Sequence, residues 1–323
     1  MKKLLIAAAV AVASISSICA MNNHDKVAIP QPLRPGDRIA IVSPAGAIDS
    51  ALVLDAADTL RAAGFDVEIM PHAMGKCGTY AASDSGRLAD LRNALTDSTV
   101  RAILCSRGGY GAVHLLDSLS QLPLERDPKW LIGFSDISAL HALLASRNIA
   151  SIHGNMCKNL ALNIDETDNA TLLSMLRGEM PVYDLPADTL NRAGHVTGRL
   201  LGGNLAVIAD LIGTPYDVVQ PGTILFIEDL EEPIYKVERI LYQMRLSGVL
   251  PRLGGLIVGQ FTGYKPNDNY DSMERMIADM VAPYSYPVAF NAPIGHVDHN
   301  VPVVQSATVT LDITPLGGTL SFK

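Results

Sequence analysis

The sequence predicts an α/β protein in two halves, and three observations carry that expectation. From residue 37 onward, short apolar runs alternate with segments whose Leu, Ala and Val recur at helical spacing, which implies strands joined by helical crossovers. Several apolar runs stop abruptly at small or turn-forming residues, as strands do at the carboxyl edge of an open sheet. Between 160 and 195 the alternation lapses into acidic residues, two prolines and little periodicity, which marks a connection.

Taken in order, the pattern predicts strands over 38–43, 66–70, 100–105, 130–134 and 150–152, separated by helices over 51–63, 85–95, 111–119 and 137–146. Such repetition predicts a doubly wound first half with parallel strands. The connection carries a short helix near 170–176, after which Gly198 to Asn204 leads into a helix over 205–211. A strand over 223–227, a helix over 235–247, a strand over 255–260 and a helix over 271–281 follow, with terminal strands at 288–290, 307–311 and 320–322. No period of about 20 to 50 residues repeats, which excludes a solenoid or propeller.

A chain of 323 residues, 48% hydrophobic and 18% charged, has enough apolar material for two folded cores. Its first twenty residues stand apart: Lys2 and Lys3, an apolar run over 4–13, then small residues ending in Cys19 and Ala20. That layout predicts a secretory signal removed after Ala20 and an exported, periplasmic protein. Ser14, Ser16 and Ser17 interrupt the run, so no membrane span is expected of the mature chain. Cys19 raises lipid anchoring as an alternative, although the bulky Ile18 stands where a lipidation site has a small residue.

The net charge is −8, and without 1–20 it becomes −10, so a nucleic-acid partner is not expected. Cys77, Cys105 and Cys157 are too few and too scattered for a disulfide framework or a thiolate metal cage. Cys105, within an apolar strand, reads as a buried small residue.

Three stretches could do chemistry. The first is Leu131-Ile132-Gly133-Phe134-Ser135-Asp136-Ile137, a strand that turns sharply into a helix and presents Ser135 at the sheet edge. On spacing alone, Ser135 or Asp136 caps that helix at least as readily as Ser135 acts as a nucleophile. The second is Ser106-Arg107-Gly108-Gly109-Tyr110-Gly111, whose glycines could bring backbone N–H groups onto an anion or an oxyanion, or simply make a tight turn. Neither the G-x-G-x-x-G fingerprint nor a P-loop is present.

The third comes in two pieces, Glu228 closing a buried-looking strand and His296 following Gly295 in a loop. A carboxylate there could orient the imidazole, and the imidazole could serve a serine. A metal site built from His296, Asp298 and His299 is the rival reading, with a spacing that fits no standard zinc pattern.

In combination these stretches resemble the LD-carboxypeptidase family of serine peptidases over about residues 30–312. The resemblance rests on Ile41-Val42-Ser43-Pro44-Ala45-Gly46, the glycine loop, Gly133 to Asp136, Leu200 to Leu205, Phe226 to Asp229 with Glu232-Pro233, and Gly295-His296. It implies a flavodoxin-like N-terminal domain over 30–157, a linker over 158–195 and a β-rich C-terminal domain over 196–323, often as a homodimer, with the site in the cleft between domains. It also implies a Ser135–His296–Glu228 triad, oxyanion donors at the N–H groups of Gly109 and Asp136, and no metal or organic cofactor.

The activity implied is release of terminal D-alanine from a murein tetrapeptide at an L,D bond. Arg107, Asn155 and Asn204 are polar candidates for holding the substrate. Two alternatives stand beside it: hydrolysis of peptidyl-nucleotides or related amides, as in the microcin C7 self-immunity branch, and recognition of peptidoglycan without cleavage. The former needs an aromatic platform for a base, and the single tryptophan, Trp130, lies just before the Ser135 strand.

Overall fold

Five parallel strands form the frame of the first half. In the computed structural model, which describes residues 26–314 and 316–323, they are β1 (Arg38–Val42), β2 (Asp66–Ile69), β3 (Val100–Cys105), β4 (Trp130–Gly133) and β5 (Ser151–His153). The expected export segment at 1–20, with Cys19, lies outside the described residues. Nearly every residue of β1, β3, β4 and β5 is buried, because helices cover both faces of the sheet, and this is why these strands read as continuous apolar runs. The crossovers are α1 (Ser50–Ala62), α2 (Asp84–Thr96), the short α3 (Leu116–Leu119) and α4 (Ser138–Ser146). Asp49 caps α1 by accepting from Ala51 N at 3.0 Å, and Ser83 caps α2 by accepting from Gly86 N at 3.3 Å.

Strand order in this sheet is β2-β1-β3-β4-β5, the flavodoxin-like order expected. The predicted 111–119 helix is broken, since residues 112–115 form a tighter 3-10 turn before α3. Cys105 is buried as expected.

The connection is more structured than its sequence indicates. It holds α5 (Cys157–Ala161), α6 (Glu166–Leu176) and β6 (Val182–Leu185). Asp165 caps α6 by accepting from Asp168 N at 3.0 Å, and Leu172, Met175 and Leu176 pack into the core of the first half with Ile39, Ile41 and Leu60. Residues 166–176 are therefore part of the first core.

The second half contains β7 (Gly194–Asn204), α7 (Leu205–Asp210), β8 (Ile224–Leu230), α8 (Ile234–Leu246), β9 (Gly255–Thr262), α9 (Met273–Val281), β10 (Val288–Ala289), β11 (Val303–Gln305), β12 (Thr308–Thr314) and β13 (Gly317–Phe322). Its seven-stranded sheet runs β10-β9-β8-β7-β12-β13-β6, parallel among β10 to β7 and antiparallel from β7 through β12 and β13 to β6. The strand anticipated to stop at 227 continues to Leu230, with a break in register between Ile227 and Asp229 that falls on Glu228. Such irregularities re-aim a side chain.

Strand β11 has no counterpart in the sequence reading. It pairs antiparallel with β5, Val304 opposite Ile152, so the second half supplies an edge strand to the first sheet. Residues of the turn before α4, of α4 and of β7, α7 and β8 also share one hydrophobic cluster, including Ile137, Leu140, Leu201, Leu205 and Ile227. The two halves therefore meet over a common core, and groups facing across it are held rigidly. Among the described residues no helix is long and apolar enough to cross a membrane.

Candidate active site

Strand β4 delivers Ser135 to the sheet edge. Phe134 is still extended, and Ser135 then adopts φ 66°, the left-handed region that costs a residue bearing a side chain about 1–3 kcal/mol. The helix-cap alternative does not describe this turn, because neither Ser135 nor Asp136 makes a side-chain cap bond to the turn and helix that follow. The Ser135 hydroxyl instead lies 3.0 Å from Nε2 of His296, and Asp136 Oδ2 accepts from Ala112 N at 2.9 Å, tying the turn to the end of the glycine loop.

That loop is pressed onto the serine. A Cβ at Gly108 would sit 2.6 Å from Ser135 Cβ, 2.8 Å from Oγ and 3.2 Å from Asp136 N, so only glycine fits there. Among the described residues the backbone N–H groups of Gly109 and Asp136 have no hydrogen-bond acceptor.

From the second half, His296 Nδ1 lies 2.7 Å from Glu228 Oε2. Glu228 is 0% exposed, and its Oε1 has no partner among the described residues. Burial pushes its carboxyl above the ordinary range, although the hydrogen bond and charge of His296 oppose this. Burial by itself would lower His296, but the hydrogen bond and charge of Glu228 outweigh it and leave the imidazole raised. Gly295, with φ 133°, lets the loop lie directly over the carboxylate; a Cβ there would be 2.9 Å from Glu228 Cβ. Hydroxyl, imidazole and buried carboxylate thus form one hydrogen-bonded chain, the arrangement that nucleophilic acyl transfer requires.

The metal reading of His296, Asp298 and His299 is not what the structure assembles. His296 turns to Ser135 and Glu228, Asp298 lines the cleft, and His299 Nδ1 contacts Asp168 Oδ2 at 3.0 Å and Asp165 Oδ2 at 3.3 Å. Asp165, Asp168 and His299 do converge, but as a helix cap and a side-chain hydrogen bond that tie the His296 loop to α6.

The serine opens onto a cleft of about 650 Å³ whose lining includes Ser135, His296, Gly109, Arg107, Lys158 and Asp298. Arg107 lines this cleft, its Nη1 donating to Ala47 O at 3.0 Å. Asn155 and Asn204, the other two polar candidates, do not line the cleft. Asn204 donates to Asp229 Oδ1 at 2.8 Å and caps α7 through Val207 N. Asn155 is buried in a run of amides: Gly295 N donates to Asn300 Oδ1 at 2.8 Å, Asn300 Nδ2 to Asn155 Oδ1 at 3.4 Å, and Asn155 Nδ2 to Asn169 Oδ1 at 2.9 Å. Both asparagines hold architecture.

Two further supports escaped the sequence reading. Asn300 is fully buried and grips the residue before His296. Arg87, buried within α2, donates to the carbonyls of Pro44 and Gly111 and to Asp84 Oδ1, stacking over the Tyr80 ring at 4.8 Å. The sequence signal for Arg87 is faint, because a mid-helix arginine ordinarily faces water.

The models for the LD-carboxypeptidase N-terminal and C-terminal domains match residues 39–154 and 197–311. The murein tetrapeptide carboxypeptidase of Pseudomonas aeruginosa is 33% identical over 271 residues, covering 80% of this chain and 88% of that protein. The crystal structure of muramoyltetrapeptide carboxypeptidase from Oxalobacter formigenes superposes with TM-score 0.76 at 28% identity, covering 88% of this chain and 98% of that one. The microcin C7 self-immunity protein MccF reaches TM-score 0.79 over 91% of this chain and 98% of its own, but at 17% identity the likeness is one of fold. Both domain matches fall on the two halves in the order that the folded chain presents them, and the protein belongs to the LD-carboxypeptidase family and is a carboxypeptidase, a hydrolase.

Proposed function

We propose that the protein is a serine carboxypeptidase that cuts the L,D bond releasing terminal D-alanine from a murein tetrapeptide, with Ser135 as nucleophile, His296 as base and Glu228 as its orienting carboxylate. The observation that carries this reading is the unbroken contact from Ser135 Oγ to His296 Nε2 at 3.0 Å and from His296 Nδ1 to Glu228 Oε2 at 2.7 Å, opening on the cleft. The relatives named for murein and muramoyl tetrapeptides support the substrate class.

Ser135 attacks the scissile carbonyl as Nε2 of His296 takes its proton, and Glu228 holds the imidazole with Nδ1 protonated and stabilises the imidazolium. The N–H groups of Gly109 and Asp136 receive the oxyanion, each contributing about 3 kcal/mol by analogy with a tested donor. His296 returns the proton to the departing amine of D-alanine, then activates the water that releases the acyl group. Asp136 serves twice, its N–H toward the oxyanion and its carboxylate on Ala112 N.

Ser135→Ala is expected to abolish D-alanine release from purified tetrapeptide with the fold intact by circular dichroism; retained release removes Ser135 as nucleophile. Hydrolysis of peptidyl-nucleotides or related amides is the weaker reading. The aromatic platform it needs is not supplied by Trp130, which is buried and donates Nε1 to Gln31 O at 3.2 Å. A murein tetrapeptide is expected to outcompete an aminoacyl-adenylate analogue in direct turnover assays, and the opposite order would exchange the two readings. Recognition without cleavage predicts no labelling of Ser135 by a serine-directed probe. The proposal extends to action in the periplasm, motivated by residues 1–20; intact precursor confined to the cytosolic fraction would contradict it.

A further inference from the structure

A second cavity of about 730 Å³ adjoins the Ser135 cleft. The two share Ala47, Ile48, Asp49, Arg107 and Gly109, so they lie on either side of one partition formed by the glycine loop and the loop after β1. That partition is tight. A Cβ at Gly46 would meet Gly108 O at 3.0 Å and Arg107 Nε at 3.3 Å, and Gly46 N donates to Gly108 O at 3.1 Å. The Arg107 side chain lies beside Gly46 and borders both spaces.

The charges of the two spaces differ. In the Ser135 cleft Arg107 and Lys158 are balanced by Asp49 and Asp298, whereas the second cavity sets Lys76 and Arg107 against Asp49 alone. Among the described residues, neither Lys76 nor Arg107 pairs with a carboxylate, although the chain as a whole carries a net charge of −8. Two cations without a carboxylate partner among the described residues, at a concavity within the size range of ligand sites, constitute an anion-selective surface.

Size decides which part of a substrate reaches it. A carboxypeptidase releases a single amino acid, which needs only a fraction of either space, so the remaining room serves the acyl portion. We propose that the second cavity is a subsite for a carboxylate on the acyl side of the scissile bond, read by Lys76 together with Arg107. This inference rests on the proposed peptidase reading and adds to it a determinant of substrate choice: acidic stems are favoured over amidated ones.

The test compares two tetrapeptides with the same scissile L,D bond and free C-terminus, one bearing free carboxylates on its acyl part and the other amidated there. Lys76→Glu is expected to lower the ratio of kcat/KM for the acidic over the amidated peptide about tenfold, chiefly through KM, as reversal of one exposed charge allows. Lys76→Ala should lower it about threefold. An unchanged ratio in both variants overturns the subsite while leaving the peptidase reading intact. If the wild type cuts neither peptide, the peptidase reading and the subsite fall together.

Discussion

The two sides of the candidate site are held in different ways. On the serine side, Ser135 is positioned by neighbours close in sequence and by backbone packing: a left-handed turn, the buried strand before it, and Gly108 so close that no side chain fits. On the histidine side, position comes from side chains far apart in the chain. His296 rests on Glu228, and Gly295 is gripped by Asn300, whose amide continues to Asn155 and Asn169. A backbone-defined nucleophile should tolerate change in remote side chains but not in its glycine neighbours. A side-chain-defined base should behave in the reverse way, and its properties should be tunable.

The largest expected effect acts on the histidine side. Glu228→Gln leaves a similar shape but removes the charge that orients and supports the imidazole, and should lower kcat by about 10³- to 10⁴-fold. It should also move the pH profile. In the proposed mechanism His296 must be neutral to accept the serine proton, and Glu228 raises its pKa. Wild-type kcat/KM should therefore fall on acidification at a pH above the ordinary imidazole value, and Glu228→Gln should shift that limb to lower pH. An unmoved limb would separate Glu228 from His296 functionally.

Next in size is Gly108→Ala on the serine side. The added methyl, 2.6 Å from Ser135 Cβ, displaces the hydroxyl or the glycine loop, and should reduce kcat about 100-fold while melting temperature changes by only a few degrees. Full activity in this variant would deny the backbone definition of the nucleophile. A smaller effect is expected of Asn300→Ala, which releases Gly295 N and lets the His296 loop relax. Its kcat should drop about tenfold with KM nearly unchanged, alongside a stability loss of about 1–3 kcal/mol from the unsatisfied buried amides, measured by urea unfolding. A change in KM alone would place Asn300 in substrate binding.

The same contrast explains what the sequence could reveal. The strands of the first sheet were legible because burial on both faces makes them continuous apolar runs, and the Ser135 turn because its constraint is local. Strand β11 was not, since three residues between Pro302 and Ser306 carry no periodicity, and their partner β5 lies some 150 residues earlier. Asn155 and Asn204 looked available for substrate because an amide committed to Asn169 or Asp229 is indistinguishable in sequence from a free one. Arg87 was hidden for the opposite reason, a charged residue that the fold buries among the carbonyls of Pro44 and Gly111. Glu228 and His296 were legible by their places, a strand end and a loop after Gly295, and only motif order joined them to Ser135, since no contact between them is readable in the chain.

In the proposed mechanism Ser135 and His296 work as one unit across the boundary between the two halves. The most direct measurement is a kinetic cycle on D-alanine release comparing Ser135→Ala, His296→Ala and the double variant. Residues acting as a unit should each abolish the same step, so the double variant should be no slower than either single one within a few-fold. Losses that multiply, with the double variant slower by the product of the two single effects, would contradict it.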